Sequence, residues 1–288
     1  MTHRFLAMLG LAVLLAPHAA QAAESYDNCT GFIDSVPATI STQGVWCLRK
    51  DLSTGLTDVA AITVANNNIT IDCNGFKLGG LQAGTGTDSH GVSTSADRQG
   101  VTVRRCNIRG FRVGINLTGG GHVVEDNTLN GMTFQGINLV GDGSVARGNT
   151  VLTTGGSTHP TYLTYAVGIA TAYDVDVIDN TVNGVVPTGD AGGNGNASGI
   201  YTYLNQAGTV SGNRVRGVAA TGTGVEQAIR NQASGRVTVV ENTLNGSGRA
   251  GSTGVLCGTS VGAAVRNVVS GFDTAVANCY GEANVEIP

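Results

Sequence analysis

Tyrosine is concentrated in one part of this chain. Of its seven tyrosines, five fall within the 42 residues from 162 to 203, namely Tyr162, Tyr165, Tyr173, Tyr201 and Tyr203. An exposed tyrosine offers a flat apolar face to a sugar ring and a hydroxyl for hydrogen bonding. The polar residues that would complete such a site are His159, Asp174, Glu226, Arg230 and Gln232. This set predicts a glycan-binding groove, and Arg230 favours an acidic glycan because guanidinium and carboxylate pair well.

The same residues suggest a reaction if the protein is an enzyme. A lyase or epimerase of a uronic-acid polymer removes the proton beside a carboxylate. That step needs a base and a cation that stabilises the developing enolate. Arg230 with Tyr201 or His159 would form this catalytic set.

Calcium is the one cofactor for which the sequence offers candidate ligands. A calcium-dependent reaction needs clustered outward carboxylates, and Asp174, Asp176 and Asp179 are spaced closely enough to be considered. Solvated carboxylates in turns are the alternative interpretation of these three residues. A glycoside hydrolase needs two carboxylates at a defined separation on one face, and no such pair stands out.

A non-catalytic role is the second hypothesis. On this view the tyrosines pack inserted loops onto the body of the molecule, and the protein is a structural or adhesive component of the cell envelope. The sequence alone leaves binding, processing and a purely structural role open.

An internal repeat determines which elements would position these residues. The unit Asn-Thr-(Leu/Val)-Asn-Gly occurs at 127–131, 180–184 and 242–246, and looser copies begin at Asn149, Asn213 and Asn267. With Asn74 and Cys106, these asparagines form a column of eight positions spaced 32, 21, 22, 31, 33, 29 and 25 residues apart. A repeat of this length is typical of a solenoid.

Two further columns support the stacking. Three residues before the asparagine position stand Ile71, Val103, Val124, Ala146, Val177, Val210, Val239 and Ala264. Two residues after it stand Phe76, Ile108, Leu129, Val151, Val182, Val215, Leu244 and Val269. All these residues are apolar, as the interior column of a stacked strand requires. A Gly-Ile or Gly-Val pair recurs upstream, with Ala228-Ile229 as the variant, and marks the entry to the first strand of each coil.

The longer repeats contain insertions near 154–166, 185–198 and 218–227. Each insertion lies between a turn glycine and the next first strand, so all three should emerge at the same corner. They would then form a wall beside the face that carries the tyrosines. Loops on a rigid scaffold are where binding residues concentrate.

The opening of the repeat region resembles a known superfamily. Val-Pro-Ala-Thr-Ile at 36–40, Gly-Val-Trp-Cys-Leu at 44–48 and Asn-Ile-Thr-Ile-Asp-Cys-Asn-Gly at 68–75 are similar to the start of secreted, pectate-lyase-like β-helix proteins. The resemblance covers residues 36–288 and implies an all-β fold, a right-handed single-stranded parallel β-helix of about eight coils with an N-terminal cap. It also implies that the stacked asparagines are structural. The superfamily hosts many activities, so the fold does not imply one of them.

Asp88-Ser-His90-Gly resembles a fragment of the polygalacturonase signature, but the paired aspartates and the Arg-x-Lys of that signature are absent. Charged residues of neighbouring coils alternate in sign. The alignment places Arg104 between Asp72 and Glu125, and it places Arg105 beside Asp126. Arg109 and Arg112 lie outside this pattern and would be free to bind an anion.

Six cysteines are consistent with an oxidising compartment. Cys29 and Cys47 both lie in the N-terminal cap, whereas the coil alignment places Cys73 beside Cys106 and Cys257 one coil from Cys279. These positions predict the disulfides Cys29–Cys47, Cys73–Cys106 and Cys257–Cys279. A zinc site is the alternative, but no Cys-x-x-Cys or nearby His pair is present. Residues 1–22 have the basic start, short apolar run and Ala-Gln-Ala site of a signal peptide. We therefore expect a signal peptide at 1–22, a cap at 23–60 and a β-helix at 61–288, in a periplasmic or extracellular protein.

The partner that the sequence suggests is a polysaccharide. The net charge of −4 argues against nucleic acid, and no apolar run is long enough to span a membrane. The sequence does not indicate an oligomeric state.

Overall fold

The computed structural model describes residues 26–204, 207–232, 236–258 and 262–287. It is a right-handed parallel β-helix, in which each coil contributes one strand to each of three parallel sheets. Only two short 3-10 helices, Leu81–Ala83 and Pro160–Tyr162, occur in these ranges. None of the helices described there is long and apolar enough to cross a membrane. The predicted signal peptide lies outside the described residues.

The three sheets are numbered in the order in which each coil passes through them, and the strand Gly31–Phe32 of sheet 2 precedes the first coil. Sheet 1 contains Ala38–Ile40, Ile62–Val64, His90–Thr94, Val113–Gly120, Gln135–Val140, Tyr165–Ala172, Asn196–Tyr203, Glu226–Asn231, Thr253–Cys257 and Thr274–Ala277, with Arg98–Gln99 paired at its side. Sheet 2 contains Gly31–Phe32, Gly44–Cys47, Ile69–Asp72, Thr102–Arg104, Val123–Glu125, Ser144–Arg147, Val175–Ile178, Thr209–Ser211, Thr238–Val240 and Ala263–Val265. Sheet 3 contains Leu52–Ser53, Lys77–Gly79, Asn107–Arg109, Thr128–Asn130, Thr150–Gly155, Thr181–Val186, Arg214–Val218, Thr243–Asn245, Val268–Ser270 and Val285–Ile287.

The stack is longer than the eight coils that the repeat revealed. Ala38–Ile40 already pairs in parallel with Ile62–Val64, so part of the predicted cap is a coil of the helix. At the other end, Thr274–Ala277 begins a further coil, and Val285–Ile287 ends it by pairing with Val268–Ser270. The terminal coils lack the Asn-Thr-x-Asn-Gly unit, which is why the pattern did not include them.

The two apolar columns form the core. The column from Ile71 to Ala264 is in register throughout, and its residues are fully buried. The second column is also confirmed except at its first member. Ile108 pairs with Leu78 rather than with Phe76. The separation from Ile71 to Leu78 is seven positions, whereas that from Val103 to Ile108 is five, because the first turn is longer by two residues.

The asparagine ladder is a structural feature, as the resemblance implied. From Asn149 to Asn267, each Oδ1 accepts hydrogen bonds from the main-chain N–H and the side-chain amide of the preceding asparagine, at 2.9 to 3.1 Å. Asn127 Oδ1 accepts the main-chain N–H of Cys106 at 3.0 Å. Asn284 extends the ladder by one coil. Asn74 was wrongly assigned to it, because the longer turn shifts this residue to the left-handed position (φ 49°) that Arg105 occupies one coil later.

All three predicted disulfides are present: Cys29–Cys47, Cys73–Cys106 and Cys257–Cys279. The charge ladder is confirmed on sheet 2, where Arg104 donates to Asp72 at 2.8 Å and Arg147 pairs with Glu125 at 2.6 Å. Arg105 differs from the prediction. It donates to Asp72 and Asn74 rather than to Asp126, because the longer first turn brings those two oxygens within its reach.

The inserted loops stack on one another at a single corner, as predicted. Thr188 Oγ1 donates to the carbonyl of Ser157 at 2.6 Å, which joins the loops 156–164 and 187–195. Gly195 and Thr221 exchange main-chain hydrogen bonds, which join 187–195 to 219–225. These loops form a wall along the start of sheet 1.

Candidate functional site

The outer face of sheet 1 carries one continuous row of side chains. Its members, one per coil and in register, are Ser93, Asn116, Asn138, Ala170, Tyr201, Arg230 and Leu256. At one end the row is polar and uncharged. Asn138 Nδ2 donates to Asn116 Oδ1 at 2.7 Å, and Asn116 Nδ2 donates to Ser93 Oγ at 3.4 Å. Five coil steps of about 4.8 Å give the row from Ser93 to Arg230 a length of roughly 24 Å.

Tyrosine rings cover the middle of this row. Tyr201 and Tyr203 are stacked, with ring centres 5.5 Å apart and planes inclined by 30°. The Tyr203 hydroxyl donates to Asn138 Oδ1 at 3.2 Å, so the ring reaches across the intervening coil. Ala170 and Ala172 are fully buried although they point outward. Small residues at these two positions leave room for rings to lie over the sheet.

Arg230 is held among neutral groups. It donates hydrogen bonds to the Tyr165 hydroxyl and, at 2.6 Å, to Gln232 Oε1. Tyr201 donates to the same Gln232 oxygen at 2.8 Å, and the Tyr201 ring centre lies 5.0 Å from the guanidinium carbon. In the described part of the chain Arg230 has no ion pair with a carboxylate. Its Nε is buried and has no hydrogen-bond partner there.

The hydroxyls of Tyr201 and Tyr203 have raised pKa values and are protonated at neutral pH. Burial raises the pKa of Tyr201, and the positive charge of Arg230 offsets this only in part. Burial, together with the neighbouring Tyr201 and Tyr173, raises the pKa of Tyr203. Both hydroxyls therefore serve as hydrogen-bond donors and acceptors rather than as bases.

His159 and Tyr162 belong to a separate cluster on the loop 156–164. Their rings stack with centres 4.9 Å apart, and Tyr162 also packs against Phe134 at 4.8 Å. The Arg112 guanidinium carbon lies 4.7 Å from the Tyr162 ring centre. The main-chain N–H of Thr158 donates to the carbonyl of Thr85, so this loop crosses the coils between them.

Arg112 is not free to bind an anion, contrary to the prediction. It forms an ion pair with Asp88 at 2.5 Å and is half-buried beneath Tyr162. It also donates to Nε2 of His90, which is consistent with a neutral imidazole. Burial is the main cause that lowers the pKa of His90 to about 4, and the charge of Arg112 adds to it. His90 therefore packs against the Arg112–Asp88 ion pair, as expected of a residue with a structural role.

Three other candidate residues lie away from the central tyrosines. Tyr173 and Asp174 are exposed at the corner where their strand of sheet 1 ends, close to the Tyr203 side of the row. Glu226 occupies the register column of Ala166 and Ala197, which are core residues, and it is 1% exposed. Its Oε1 accepts a hydrogen bond from Ser247 at 3.2 Å. The structure thus brings together Arg230, Gln232, Tyr165, Tyr201 and Tyr203.

Asn116 and Asn138 were not among the candidate site residues. The coil alignment already placed them in the same outward column as Tyr201, and this was the available signal. Their mutual hydrogen bond and the contact with Tyr203 depend on how far that ring extends along the sheet.

Residues 63–259 match the family model described as "Periplasmic copper-binding protein (NosD)". The chain belongs to this family. The NosD family is periplasmic, and three disulfides agree with an exported location. No curated protein matches the chain.

Two solved structures of β-helix proteins are similar to this NosD-family chain. One is the A-module of the mannuronan C-5 epimerase AlgE6 of Azotobacter vinelandii, with 13% identity, 89% of this chain and 88% of that chain covered, and a TM-score of 0.47. The other is a mutant tailspike protein of the E. coli bacteriophage HK620 in complex with a hexasaccharide. It shows 12% identity, 89% and 55% coverage, and a TM-score of 0.42.

The described residues do not fit a copper site, although the family description names copper. Copper in proteins is bound by cysteine, methionine and histidine side chains. Every described cysteine is in a disulfide, and Met132 is fully buried in the core. Within the described ranges no three His, Cys, Asp or Glu side chains converge as metal ligands would.

The calcium candidates also do not converge. Asp176 Oδ1 accepts the main-chain N–H of Thr209 at 2.7 Å, whereas Asp174 donates its own main-chain N–H to Asp142 Oδ1 at 3.1 Å. Asp179 has a left-handed backbone (φ 54°) in the turn that precedes Asn180. Asp176 therefore caps a neighbouring strand, and the three carboxylates do not form a group of metal ligands in the described part of the chain.

Proposed function

We propose that this NosD-family protein binds an acidic glycan in the periplasm, along the row from Ser93 to Arg230. The observation that carries the proposal is that Arg230 has a positive charge without an ionic partner. Its guanidinium lies over the Tyr201 ring, donates to the Tyr165 hydroxyl and lacks a carboxylate partner in the described ranges. The side chain is half-buried. A partly desolvated charge favours an ionic partner, and the carboxylate of a uronic-acid residue would supply one to the exposed part of the guanidinium.

The rest of the row suits a sugar chain. The rings of Tyr201 and Tyr203 provide apolar faces beside the cation. The amides of Asn116 and Asn138 provide donors and acceptors for sugar hydroxyls farther along the same line. The stacked loops bound the row on one side, which makes it a groove rather than an open face.

Binding is better supported than processing. The lyase or epimerase hypothesis needs a base beside Arg230, and Tyr201 is unsuited to that role because its pKa is raised. His159 is engaged with Tyr162 and with the main-chain N–H of Thr161 in the other cluster. A structural or adhesive role in the cell envelope is compatible with glycan binding.

The test is calorimetric binding of short uronic-acid oligosaccharides and of their neutral counterparts. We expect Arg230→Gln to weaken binding of the acidic oligosaccharide about tenfold or more, because a charge-assisted hydrogen bond contributes about 1.5–3 kcal/mol. Binding of neutral sugars should change little. Tyr201→Ala should weaken both, because the ring contact is lost.

Arg266→Ala is the matched control, because Arg266 is an exposed arginine that pairs with Glu241 on a different face. It should leave affinity unchanged. Equal affinity of the wild type and a folded Tyr201→Ala, Arg230→Gln double variant would refute the groove. Appearance of an unsaturated product in the same samples would show processing instead of binding alone.

A further inference from the structure

The outer face of sheet 3 is a second polar surface, separate from the groove. Its strands point Thr and Asn side chains outward in two columns, and these are interrupted by cations. The outward cations are Lys77, Arg109, Arg214 and Arg216. The three arginines are exposed. From Lys77 to Ser270 the strands of this sheet contain no Asp or Glu.

The register explains why these arginines remain unpaired. Arg109 lies between Gly79 and Asn130, and Arg216 lies between Asn183 and Asn245. Arg214 lies between Thr181 and Thr243. In the ranges that the structure describes, none of the three has an ion pair or a side-chain hydrogen bond.

Sheet 2 shows the contrast. There the same stacking places Arg104 beside Asp72 and Arg147 beside Glu125, and both arginines form ion pairs with these carboxylates. On sheet 3 Lys77 is paired with Asp51 at 3.1 Å, whereas the three arginines are left without an ion pair in the described ranges. The stacking that pairs outward arginines with carboxylates on sheet 2 thus leaves positive charge on sheet 3 that can meet anions from outside.

Two depressions mark the face. One, with a volume of about 410 Å³, is lined by residues that include Arg109, Asn130 and the ion pair of Lys77 with Asp51, so Arg109 is its unpaired cation. The other, of about 90 Å³, is lined by residues that include Arg214, Arg216 and Asn245. Arg109 and Arg216 share a column and are four coils apart, a distance of roughly 19 Å along the axis.

We propose that the outer face of sheet 3 binds an extended acidic polysaccharide that lies along the axis of the solenoid. The arginines receive its carboxylates, and the intervening Thr and Asn side chains hydrogen-bond to its hydroxyls. An anionic membrane fits less well, because the outward residues of these strands include no aromatic side chain to anchor in the interface. The proposal stands independently of the tyrosine groove.

The test compares two triple variants of the full chain by their affinity for long polygalacturonate at low and high salt. Arg109→Ala, Arg214→Ala and Arg216→Ala together should weaken binding at low salt at least tenfold and flatten its salt dependence, because binding by exposed charges is screened. Arg49→Ala, Arg147→Ala and Arg266→Ala together remove the same charge from paired positions on other parts of the surface. This control should change the affinity less than threefold.

The same variants test the groove and the sheet 3 face separately. The Arg230→Gln variant should still bind long polygalacturonate, and the sheet 3 variant should still bind the short oligosaccharide. Equal losses in the two triple variants would reduce the effect to net charge and overturn the inference. Binding of the wild type to phosphatidylglycerol vesicles, abolished in the sheet 3 variant while polygalacturonate binding persists, would replace the polysaccharide with a membrane.

Discussion

At the scale of single residues, the most constrained charge is Asp72. Its side chain is 2% exposed, whereas those of its partners Arg104 and Arg105 are 34% and 49% exposed. Burial by itself would raise the pKa of Asp72. Hydrogen bonds from Arg105 and from the main-chain N–H of Asn74, together with both positive charges, outweigh burial and hold the pKa below 3.8. The carboxylate therefore joins two coils at the turn that is longer than the others.

Asp72→Asn should lower the free energy of unfolding by about 2 kcal/mol or more, because it leaves two cations beside a buried neutral amide. Glu241→Gln is the control. Its pair with Arg266 is exposed on both sides, at 60% and 59%, and should contribute less than about 1 kcal/mol. Denaturant unfolding at pH 7 measures both. Because the pKa of Asp72 is lowered, its contribution is present above pH 3.8 and is lost as the pH falls through the folded-state value.

At the scale of elements, the first strand of most coils has a glycine before its buried Ile or Val, whereas Ala228 takes this position in the strand Glu226–Asn231. At Gly168 an added Cβ would lie 2.4 Å from Val182 Cγ1 and 2.5 Å from the carbonyl oxygen of Gly199. The same crowding recurs at Gly136 and Gly199. The strand therefore approaches both the core and the next coil closely, and it presents Ala170 and Ala172 outward beneath the tyrosine rings.

Gly168→Ala should lower the free energy of unfolding by about 1–3 kcal/mol through overpacking. It should also weaken glycan binding, because a shifted strand moves the platform under Tyr201 and Tyr203. Gly79→Ala is the matched control. It also lies within a strand, but its Cβ would meet Ser53 Cβ at an ordinary 3.5 Å. Thermal unfolding compares the two, and a Gly168→Ala protein as stable as Gly79→Ala would contradict the crowding argument.

At the scale of the whole molecule, two histidines, the half-buried His90 and the buried His122, should make the stack sensitive to acid. The pKa of His90 is lowered to about 4 by burial and by Arg112, with Asp88 opposing. Burial likewise lowers the pKa of His122, against the opposing effects of Thr118 and Asp97. Their folded-state pKa values lie below the ordinary 6.5, so the unfolded chain binds more protons between these values. The contribution of these two histidines to the free energy of unfolding is therefore fully present above pH 6.5 and is lost as the pH falls toward their folded-state pKa values.

We expect the free energy of unfolding to fall by about 2–3 kcal/mol between pH 7 and pH 4 from His90 alone. His90→Asn should reduce this slope, whereas His159→Asn on the outer loop should retain it. Denaturant midpoints measured across this pH range test the prediction. An unchanged slope in a folded His90→Asn variant would exclude this residue as the cause.

Much of the fold follows from the periodicity of the sequence. Stacking in register requires residues about one coil apart to share an environment, so the apolar columns, the asparagine ladder and the three disulfides were predictable. The same alignment placed Tyr201 and Arg230 on one outward face. It did not predict the exact length of the first turn, because that turn lacks the repeated unit, and this misplaced Asn74 and Phe76.

The sequence by itself determined which residues face inward, which face outward and which coils they join, since these properties depend on local periodicity. The tertiary structure alone decided how far each side chain extends from its own coil. Tyr203 crosses a coil to reach Asn138, Arg112 is captured by Asp88 and Tyr162, and His159 belongs to a different cluster from Arg230. Long side chains and loops find their partners across coils, and that choice depends on the packing of the whole stack rather than on position within a repeat.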